Sequence, residues 1–286
     1  MSIELIISLV KANIVLAVLL TNTILLIWFE RKVVAGMQSR VGPDRAGPFG
    51  ILQTLADAIK LLLKEQILPS KADRAMYLLA PLIALVPSFL IFMIIPLGPD
   101  ITVEWQNALY TIPLVGADLN VGVLYFLALS SIAVYSVVLA GWSSGSKYPL
   151  LGGVRASAQM ISYEAAMGLA LVPVILYSGS LSLVDIVNSQ SGNLSTSIPI
   201  LNTIVSFIPK WNIFPQFVAF GIFFIAAVAE VNRAPFDLVE AEQELVGGFH
   251  TEYSGFRFAM FFLAEYINMF NMCAITATFF LGGWLG

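Results

Sequence analysis

Acidic side chains concentrate in one short stretch of a chain that is otherwise apolar. The segment EVNRAPFDLVEAEQELVGGFHTEYSG, residues 230–255, holds five carboxylates within sixteen residues: Asp237, Glu240, Glu242, Glu244 and Glu252. Crowding and desolvation move the pKa of carboxyl groups toward neutrality, so that protons are gained and lost at small cost. The segment therefore predicts a proton-transferring cluster. A solvated loop that its charges keep soluble is the simpler alternative.

Four further glutamates stand inside or at the ends of apolar runs, at positions 30, 164, 230 and 265. An ionised acid at membrane depth costs at least about 2.5 kcal/mol and usually faces water or a partner. Glu164 is predicted to lie ~10 Å inside its span, given the helical rise per residue, and Glu265 at a similar depth. Simpler interpretations are a structural hydrogen bond to a neighbouring helix at Glu164, an interfacial ion pair at Glu30, and local partners at Glu265. The candidate partners are Arg31 and Lys32 for Glu30, and Tyr266 and Asn268 for Glu265.

The composition is typical of an integral membrane protein, with 58% hydrophobic and only 11% charged residues and a mean hydropathy of +0.87. Apolar runs of about 20 residues, which suffice to cross a ~30 Å hydrocarbon core, recur along the chain. They exclude a β-barrel, whose strands are short and alternating. We predict an all-α fold, a polytopic transmembrane helical bundle with one interfacial amphipathic helix. The single Cys273 and single His250 exclude a disulfide framework and argue against metal and haem sites.

Residues 1–286 are predicted to form a single integral membrane domain. Its spans are placed at about 5–29, 75–96, 119–142, 157–177, 213–230 and 257–283. The segment 49–66 is short and charged and has apolar residues at helical spacing, so we predict a surface helix there. Residues 178–212 are predicted to form an outer loop with a short surface helix.

The distribution of basic residues predicts the orientation of the spans. Twelve of the 14 lysines and arginines fall in segments that share one side of the membrane, and only Lys11 and Lys210 fall on the other. Cytoplasmic loops carry an excess of Lys and Arg, so we expect the N-terminus on the outer side. The acidic segment then lies on the inner side, where four spans also contribute acids.

The segment after the first span, ERKVVAGMQSRVGPDRAGPFG, combines arginine with glycine and proline. Glycine and proline predict a fixed, non-helical path, and arginine is suited to bidentate contacts with a partner or a headgroup. No GK[ST] follows the glycines, so this is not a phosphate loop. The sequence likewise holds no dinucleotide fingerprint, metal-ligand set or nucleophile triad, and we predict no catalytic centre and no metal site in this chain.

Four long blocks occur in one order: ERKVVAGMQSRVGPDRAGPFGILQTLADAIKLLLKE, ADLNVGVLYFLALSS, AGWSSGSKYPLLGGVRASAQMISYE, and the acidic segment through GFHTEYSG. With them the chain resembles, nearly end to end, the membrane subunit designated H of the proton-pumping NADH-quinone oxidoreductase, respiratory complex I. The mitochondrial counterpart is the first NADH dehydrogenase membrane subunit. The resemblance implies a helical bundle at the junction of the two arms of the complex, which couples quinone reduction to proton translocation.

The resemblance also implies site residues. A quinone-access chamber is expected between the first and sixth spans and the surface helix. Its expected lining residues are Glu30, Arg31, Arg40, Asp57, Arg233 and Phe249. A carboxylate relay is expected to lead inward through Glu164, Glu230, Asp237, Glu240, Glu242, Glu244 and Glu265.

Cofactor and partner expectations follow from the same resemblance. Quinone is the expected substrate, no covalently bound cofactor is expected, and FMN and iron–sulfur clusters are expected in partner subunits only. Expected partners are the peripheral-arm subunits of the quinone site, the adjacent membrane-arm subunits and membrane lipid, with no nucleic acid. The expected location is an energy-transducing membrane, the bacterial or mitochondrial inner membrane.

The chain departs from the family pattern at two places. Val239 stands where the family often has proline in PFDLPEAE, and about six spans are visible where about eight are expected. Two other functions stay open. One is the membrane subunit of a related membrane-bound hydrogenase complex, which shares the acidic loop but need not bind quinone. The other is a transporter or channel that works alone, against which the absence of internal repeats argues.

Overall fold

The protein is a bundle of long α-helices, seen in a computed structural model that describes residues 3–105, 108–194, 208–237 and 246–285. The helices in these ranges are α1 Ile3–Met37, α2 Gln53–Leu63, α3 Arg74–Met93, α4 Gly122–Ser143, α5 Lys147–Ser178, α6 Leu183–Ser189, α7 Phe217–Glu230 and α8 Gly255–Phe280. Single 3-10 turns lie at Pro48–Gly50, Gly248–His250 and Gly283–Leu285.

Among the described residues, five helices are long and apolar enough to cross a membrane: α1 from Val10, α3, α4, α5 and α8. The predicted fold class, a polytopic helical membrane protein, is confirmed. The fifth predicted span, 213–230, is shorter than expected, because α7 has 14 residues. At 1.5 Å per residue it extends about 21 Å, less than the hydrocarbon core.

Two helices extend well beyond their predicted ends on the side of the acidic segment. α1 continues to Met37 rather than ending at residue 29, so the first turns of the Arg/Gly/Pro block are helical and Glu30 does not close the helix. α5 begins at Lys147 rather than 157, which places Glu164 near the middle of a 32-residue helix. Charged residues such as Arg31 and Arg155 lower the local hydropathy, and hydropathy alone therefore cuts both helices short.

A β-hairpin, absent from the predicted all-α pattern, connects α3 to α4. Strand β1, Ile101–Trp105, pairs antiparallel with β2, Ala108–Ile112, with Ile101 opposite Ile112. Both strands contain β-branched and aromatic residues, which favour a pleated strand. The hairpin lies far from the acidic segment in the chain.

The helix ends are fixed by local hydrogen bonds. The carboxylate of Asp73 caps α3 by accepting from the backbone N–H of Ala75 at 3.1 Å and of Met76 at 3.4 Å. Gly179 ends α5 in the left-handed region at φ 71°, where glycine has no steric penalty. Such caps satisfy backbone groups that a helix leaves unpaired at its ends.

The core lies between α3, α4, α5, α7 and α8 and is filled by large side chains. Phe126, Phe223, Phe279 and Phe280 are fully buried there. A polar contact joins two spans inside this core, where Asn271 on α8 donates from Nδ2 to the carbonyl of Ser88 on α3 at 2.8 Å. A stacked pair, Tyr77 and Tyr253, with ring centroids 4.0 Å apart, holds the segment before α8 against α3.

The short helix α2 lies beside α1 and α8, within the predicted surface-helix segment 49–66. Its Thr54 is buried, and the hydroxyl donates to the Ile24 carbonyl on α1 at 3.4 Å. One face of the helix exposes apolar side chains, which are Leu52, Leu55, Ile59, Leu62 and Leu63. This amphipathic pattern suits a helix that lies at a membrane surface.

Candidate functional site

A cavity of about 350 Å³ opens among α1, α3, α4, α5, α8 and the segments that follow α7 and precede α8. Its charged and amide lining side chains are Glu30, Glu230, Asn232, Arg233, Asp237, Glu265 and Asn268. Its aromatic lining is formed by Phe249, His250, Phe258, Phe261 and Phe262. The size lies at the lower end of the range for small-molecule pockets, and the mixture of apolar walls and a few polar groups is typical of them.

Arg233 joins two helices across the cavity. Its Nη1 donates to Glu30 Oε1 on α1 at 2.9 Å, and its Nε lies 3.2 Å from Glu265 Oε1 on α8. The backbone directs the side chain there, because the chain turns sharply after α7 with Asn232 at φ 55°. A planar guanidinium with five donors suits such bridging between carboxylates.

Tyr266 completes this group. Its hydroxyl donates to Glu30 Oε2 at 2.8 Å, and its ring lies 4.6 Å from the Arg233 guanidinium carbon. Burial opposes the charge of Arg233, but Glu265, Tyr266 and Glu30 outweigh it and raise the arginine pKa above its ordinary value. Two carboxylates thus share one fixed cation. The Nη2 of this arginine is buried and makes no hydrogen bond within the described part of the chain.

Glu230 is the most buried acid of the cavity, with 6% of its surface exposed. Its Oε1 accepts a hydrogen bond from Ser130 Oγ on α4 at 2.8 Å. Its Oε2 is buried and has no hydrogen-bond partner among residues 3–105, 108–194, 208–237 and 246–285. Buried polar atoms are usually satisfied, so an oxygen left open beside a cavity is a candidate for contact with water or a ligand.

Glu164 is a further acid near this region, but it is not part of the cavity lining that the structure describes. Its Oε1 accepts from the hydroxyl of Ser131, which follows Ser130 on α4. The carboxyl groups of Glu164 and Glu230 are close enough to interact electrostatically. Glu164 is half-buried, whereas Ser131 is exposed on the outer face of the bundle. The acids therefore lie in sequence from the cavity toward the lateral surface of the chain.

Comparison with known proteins identifies the family. A family model described as NADH dehydrogenase matches residues 10–286. The chain belongs to the NADH dehydrogenase family. The relatives at about half identity carry names that agree with this family.

Three relatives, each named as the NADH-quinone oxidoreductase subunit designated H, show how much of the family's length the chain represents. It is 51% identical over 276 residues to the second such protein of Syntrophobacter fumaroxidans, covering 96% of this chain and 77% of that protein. It is 54% identical over 268 residues to the second one of Geobacter metallireducens, covering 90% and 72%. It is 52% identical over 278 residues to that of Frankia alni, covering 96% and 57%. The chain therefore spans less than two thirds of the Frankia relative.

Six of the site residues expected from the family resemblance do meet at the cavity: Glu30, Glu230, Arg233, Asp237, Phe249 and Glu265. Asp237 is exposed at the rim, and Phe249 is buried in the wall. Three residues expected in the relay, Glu240, Glu242 and Glu244, lie outside the described residues.

Arg31, Arg40 and Asp57 are not part of the cavity lining that the structure describes. Arg31 and Asp57 instead form an ion pair at 2.5 Å that joins α1 to α2. Burial opposes ionisation of Asp57, but hydrogen bonds from Arg31 and Gln53 and the nearby cations hold its pKa below the ordinary value. Arg40 is exposed and donates from Nε to Gln38 Oε1 at 2.6 Å. The described lining of this cavity includes residues of α3, α4 and α5 but none of α2.

Residues that sequence reasoning missed form much of the aromatic wall. Phe258, Phe261 and Phe262 recur at i, i+3 and i+4 on α8, the helical spacing that places them on one face. His250 lies between two of the aromatic rings, 4.9 Å from Phe249 and 5.2 Å from Phe258. Burial lowers the pKa of His250 to about 4, so the imidazole is neutral near pH 7. The helical spacing of these aromatics was a usable signal.

Gln159 on α5 holds the segment after α7 in place and was also missed. Its Nε2 donates to the carbonyls of Ala229 at 3.0 Å and Phe236 at 2.8 Å. These two bonds span the turn that carries Arg233. A single buried glutamine in an apolar helix gives little sequence signal, because buried amides in spans commonly serve packing between helices.

Proposed function

We propose that this chain acts as the membrane subunit designated H of a proton-pumping NADH-quinone oxidoreductase, and that the cavity is part of its quinone-access chamber. Membership of the NADH dehydrogenase family and the names of the relatives support the assignment. The main observation in support of the chamber assignment is the position of the Arg233 guanidinium. Two carboxylates on two helices hold it beside an aromatic wall.

A quinone ring fits the chemistry of this cavity. It is planar and apolar, with two carbonyl oxygens that accept hydrogen bonds. The rings of Phe249, Phe258 and Phe262 offer flat apolar surfaces, and the open Nη2 of Arg233 offers a charged donor. Glu30 and Glu265 hold that guanidinium at a fixed place, so the donor is pre-organised before the ligand arrives.

The carboxylates beside the chamber form the proposed proton relay. A proton taken up near Asp237 passes to Glu265 or Glu230 at the cavity. We assign Glu240, Glu242 and Glu244 to the same path on the family resemblance. From Glu230 the proton reaches Glu164 past the neighbouring hydroxyls of Ser130 and Ser131. A change in the charge of the bound quinone alters how strongly Arg233 holds Glu30 and Glu265, and therefore how readily the acids of the relay bind a proton. Quinone reduction is coupled to proton movement in this way.

The surroundings of the chain follow from this role. FMN and iron–sulfur clusters belong to peripheral-arm partner subunits, and further membrane-arm subunits continue the proton path. The N-terminus lies on the outer side of a bacterial or mitochondrial inner membrane. The exposed apolar face of α2 rests on the membrane surface, with Lys60 and Lys64 at its edge near anionic headgroups.

Photolabelling of the intact complex tests the chamber. A quinone analogue that carries a photoreactive group on its ring is expected to label the segments 230–237 and 249–268, and excess quinone is expected to protect them. Labelling confined to partner subunits, or to the separate apolar crevice between α1 and α3 near Lys11, would contradict the chamber.

Neutral substitutions test the relay independently. Glu164→Gln and Glu230→Gln each preserve size and hydrogen-bonding capacity but remove the exchangeable proton. We expect assembled complexes in which NADH-quinone turnover and protons pumped per electron both decrease. Asp185→Asn at the start of α6 serves as the control, since this exposed carboxylate accepts from Ser180, outside the site. Unchanged pumping in both glutamine variants would remove these acids from the path.

A further inference from the structure

We propose that Ser130 is a positioning residue, which holds Glu230 so that Oε2, and not Oε1, exchanges protons with the cavity. The proposal rests on the relay proposed above and names the atom of Glu230 that exchanges protons with the cavity. It is carried by a hydrogen-bond arrangement that sets Ser130 apart from most other buried serines of the spans.

The buried serines of the described helices mostly turn their hydroxyls back on their own backbone. Ser88 donates to the Ala84 carbonyl at 2.9 Å, Ser136 to Ala133 at 2.6 Å, and Ser144 to Ala140 at 2.6 Å. This is the usual way for serine to satisfy its hydroxyl in a membrane helix. Ser130, 3% exposed, instead donates across to Glu230 Oε1 on α7.

The bond makes the two oxygens of Glu230 unequal. Oε1 is occupied by the Ser130 hydroxyl at 2.8 Å. Oε2 is buried, lacks a hydrogen-bond partner among the described residues, and belongs to a side chain that lines the cavity. Because the serine donates, the proton on the carboxyl group, when present, is best placed on the other oxygen. Uptake and release therefore occur at Oε2.

The next residue repeats the arrangement on a different face of α4. Ser131 donates to Glu164 Oε1 on α5. Consecutive helical residues point about 100° apart, so one helix presents two hydroxyls to two different neighbours. Two adjacent serines on α4 thus orient the carboxyl groups of two acids, one on α7 and one on α5.

The experiment compares serine variants in the intact complex. Ser130→Ala is expected to assemble, to lower turnover about fivefold, and to move the alkaline limb of the pH–rate profile upward, because the charged carboxylate loses a donor that favours it. Ser130→Thr keeps the hydroxyl and is expected to restore both. Ser88→Ala, which removes an equally buried hydroxyl bonded to its own helix, is expected to behave as wild type.

An infrared difference spectrum reports the hydrogen bonding of the carboxyl group directly, and loss of packing alone is not expected to shift this band. The protonated carboxyl C=O band, assigned by its loss in Glu230→Gln, is expected to shift in Ser130→Ala and to return in Ser130→Thr. If Ser130→Ala fails to assemble, Ser130→Cys keeps the shape with a weaker donor and is expected to show a smaller shift of the same sign.

The outcomes separate this proposal from the relay. An unshifted band and an unchanged pH profile in Ser130→Ala, with Glu230→Gln inactive, would overturn the role of Ser130 and leave the relay standing. Wild-type turnover and pumping in Glu230→Gln would instead overturn the relay. In the Glu230→Gln background, Ser130→Ala is expected to have no further effect on the profile, since the group that it orients is gone.

Discussion

Arg233 Nη1 and Glu30 Oε1 lie 2.9 Å apart, although 203 positions separate the two residues in the chain. The pair connects the first long helix to the turn after α7, and Glu265 brings in the last helix through the same guanidinium. One side chain thus joins three segments that are far apart in the sequence. A substitution at Arg233 that keeps the positive charge therefore tests whether the geometry of the guanidinium matters.

Arg233→Lys is expected to lower quinone turnover about tenfold, which corresponds to ~1.4 kcal/mol. Lysine keeps the positive charge, but its single ammonium cannot bridge two carboxylates and also present a planar donor to the cavity. Turnover at saturating NADH with a short-chain quinone is the measurement. Arg74→Lys, at the exposed start of α3, is the control and is expected to behave as wild type. Equal activity in both variants would show that charge alone suffices.

Tyr266→Phe is expected to weaken the same cluster to a smaller extent. It removes the hydroxyl that donates to Glu30 Oε2 at 2.8 Å but keeps the ring beside Arg233. Losing one hydrogen bond to a charged group costs about 1.5–3 kcal/mol when buried, and less here because Glu30 is about one third exposed. We expect a several-fold rise in the KM for quinone.

A double-mutant cycle with Glu30→Gln checks that assignment. The effects of Tyr266→Phe and Glu30→Gln are expected to be less than additive, because both remove the same contact. Tyr135→Phe on the exposed face of α4 supplies the control for loss of a tyrosine hydroxyl. Additive effects would place Tyr266 outside the Glu30 interaction.

Much of the fold was predictable, because hydropathy reports apolar runs directly. The core regions of α3, α4 and α8 were placed within a few residues of their ends. The ends of α1 and α5 that extend beyond the apolar layer were not predicted. Charged residues lower the hydropathy of these helical turns, so that they resemble loops in the sequence. Strands β1 and β2 were missed because a short hairpin between spans has a weak signal beside 20-residue runs.

The site was predictable as a set of acids and not as a geometry. That Glu30, Glu230 and Glu265 are costly in lipid follows from their residue type alone. That Arg233 joins Glu30 to Glu265, and that Ser130 holds Glu230, depends on how distant helices pack. The sequence offers no local pattern for such contacts. The ion pair between Arg31 and Asp57 likewise has no local pattern in the sequence, because it joins two different helices.

The stability of the fold is expected to depend on pH through His250. Burial lowers its pKa to about 4 in the folded chain, below the 6.5 of an exposed imidazole. Between these values the unfolded state binds the proton and the folded state does not, so stability rises with pH across that window and is lost as pH falls through it. The loss is on the order of 3 kcal/mol.

Melting of the solubilised complex at pH 7 and at pH 4.5 measures this effect. His250→Asn removes the titrating group and is expected to melt at a lower temperature at pH 7 but to lose less stability on acidification. Other acids titrate in both proteins, so the informative quantity is the difference between the two pH dependences. Parallel curves would show that protonation of His250 does not contribute.

The Arg31–Asp57 pair is expected to hold α2 against α1. The pair is partly exposed, so its loss costs at most about 1 kcal/mol. Asp57→Asn is therefore expected to leave assembly intact but to speed amide hydrogen exchange in α2. The exchanged pair Arg31→Asp with Asp57→Arg is expected to slow it again. Fast exchange in the exchanged pair would show that the contact depends on more than its two opposite charges.

Gly152 on α5 is expected to be intolerant of any side chain. A Cβ there would lie 2.8 Å from the backbone of Gly248, at the turn that carries Phe249 and His250 into the cavity. Gly168, on the same helix, would place its Cβ 3.9 Å from a flexible leucine side chain, an ordinary contact distance. The two glycines therefore differ in surroundings while sharing a helix.

Gly152→Ala gains up to about 1 kcal/mol of helix propensity but incurs an overpacking cost of about 1–3 kcal/mol against backbone that cannot rotate away. The balance favours a lower melting temperature and a displaced Phe249, seen as weaker quinone protection of the 249–268 segment from photolabelling. Gly168→Ala gains the same propensity without the clash and is expected to melt at the wild-type temperature or above. A Gly152→Ala protein that melts and binds as wild type would mean that the turn before α8 yields easily, and that the wall around His250 is not rigidly placed by α5.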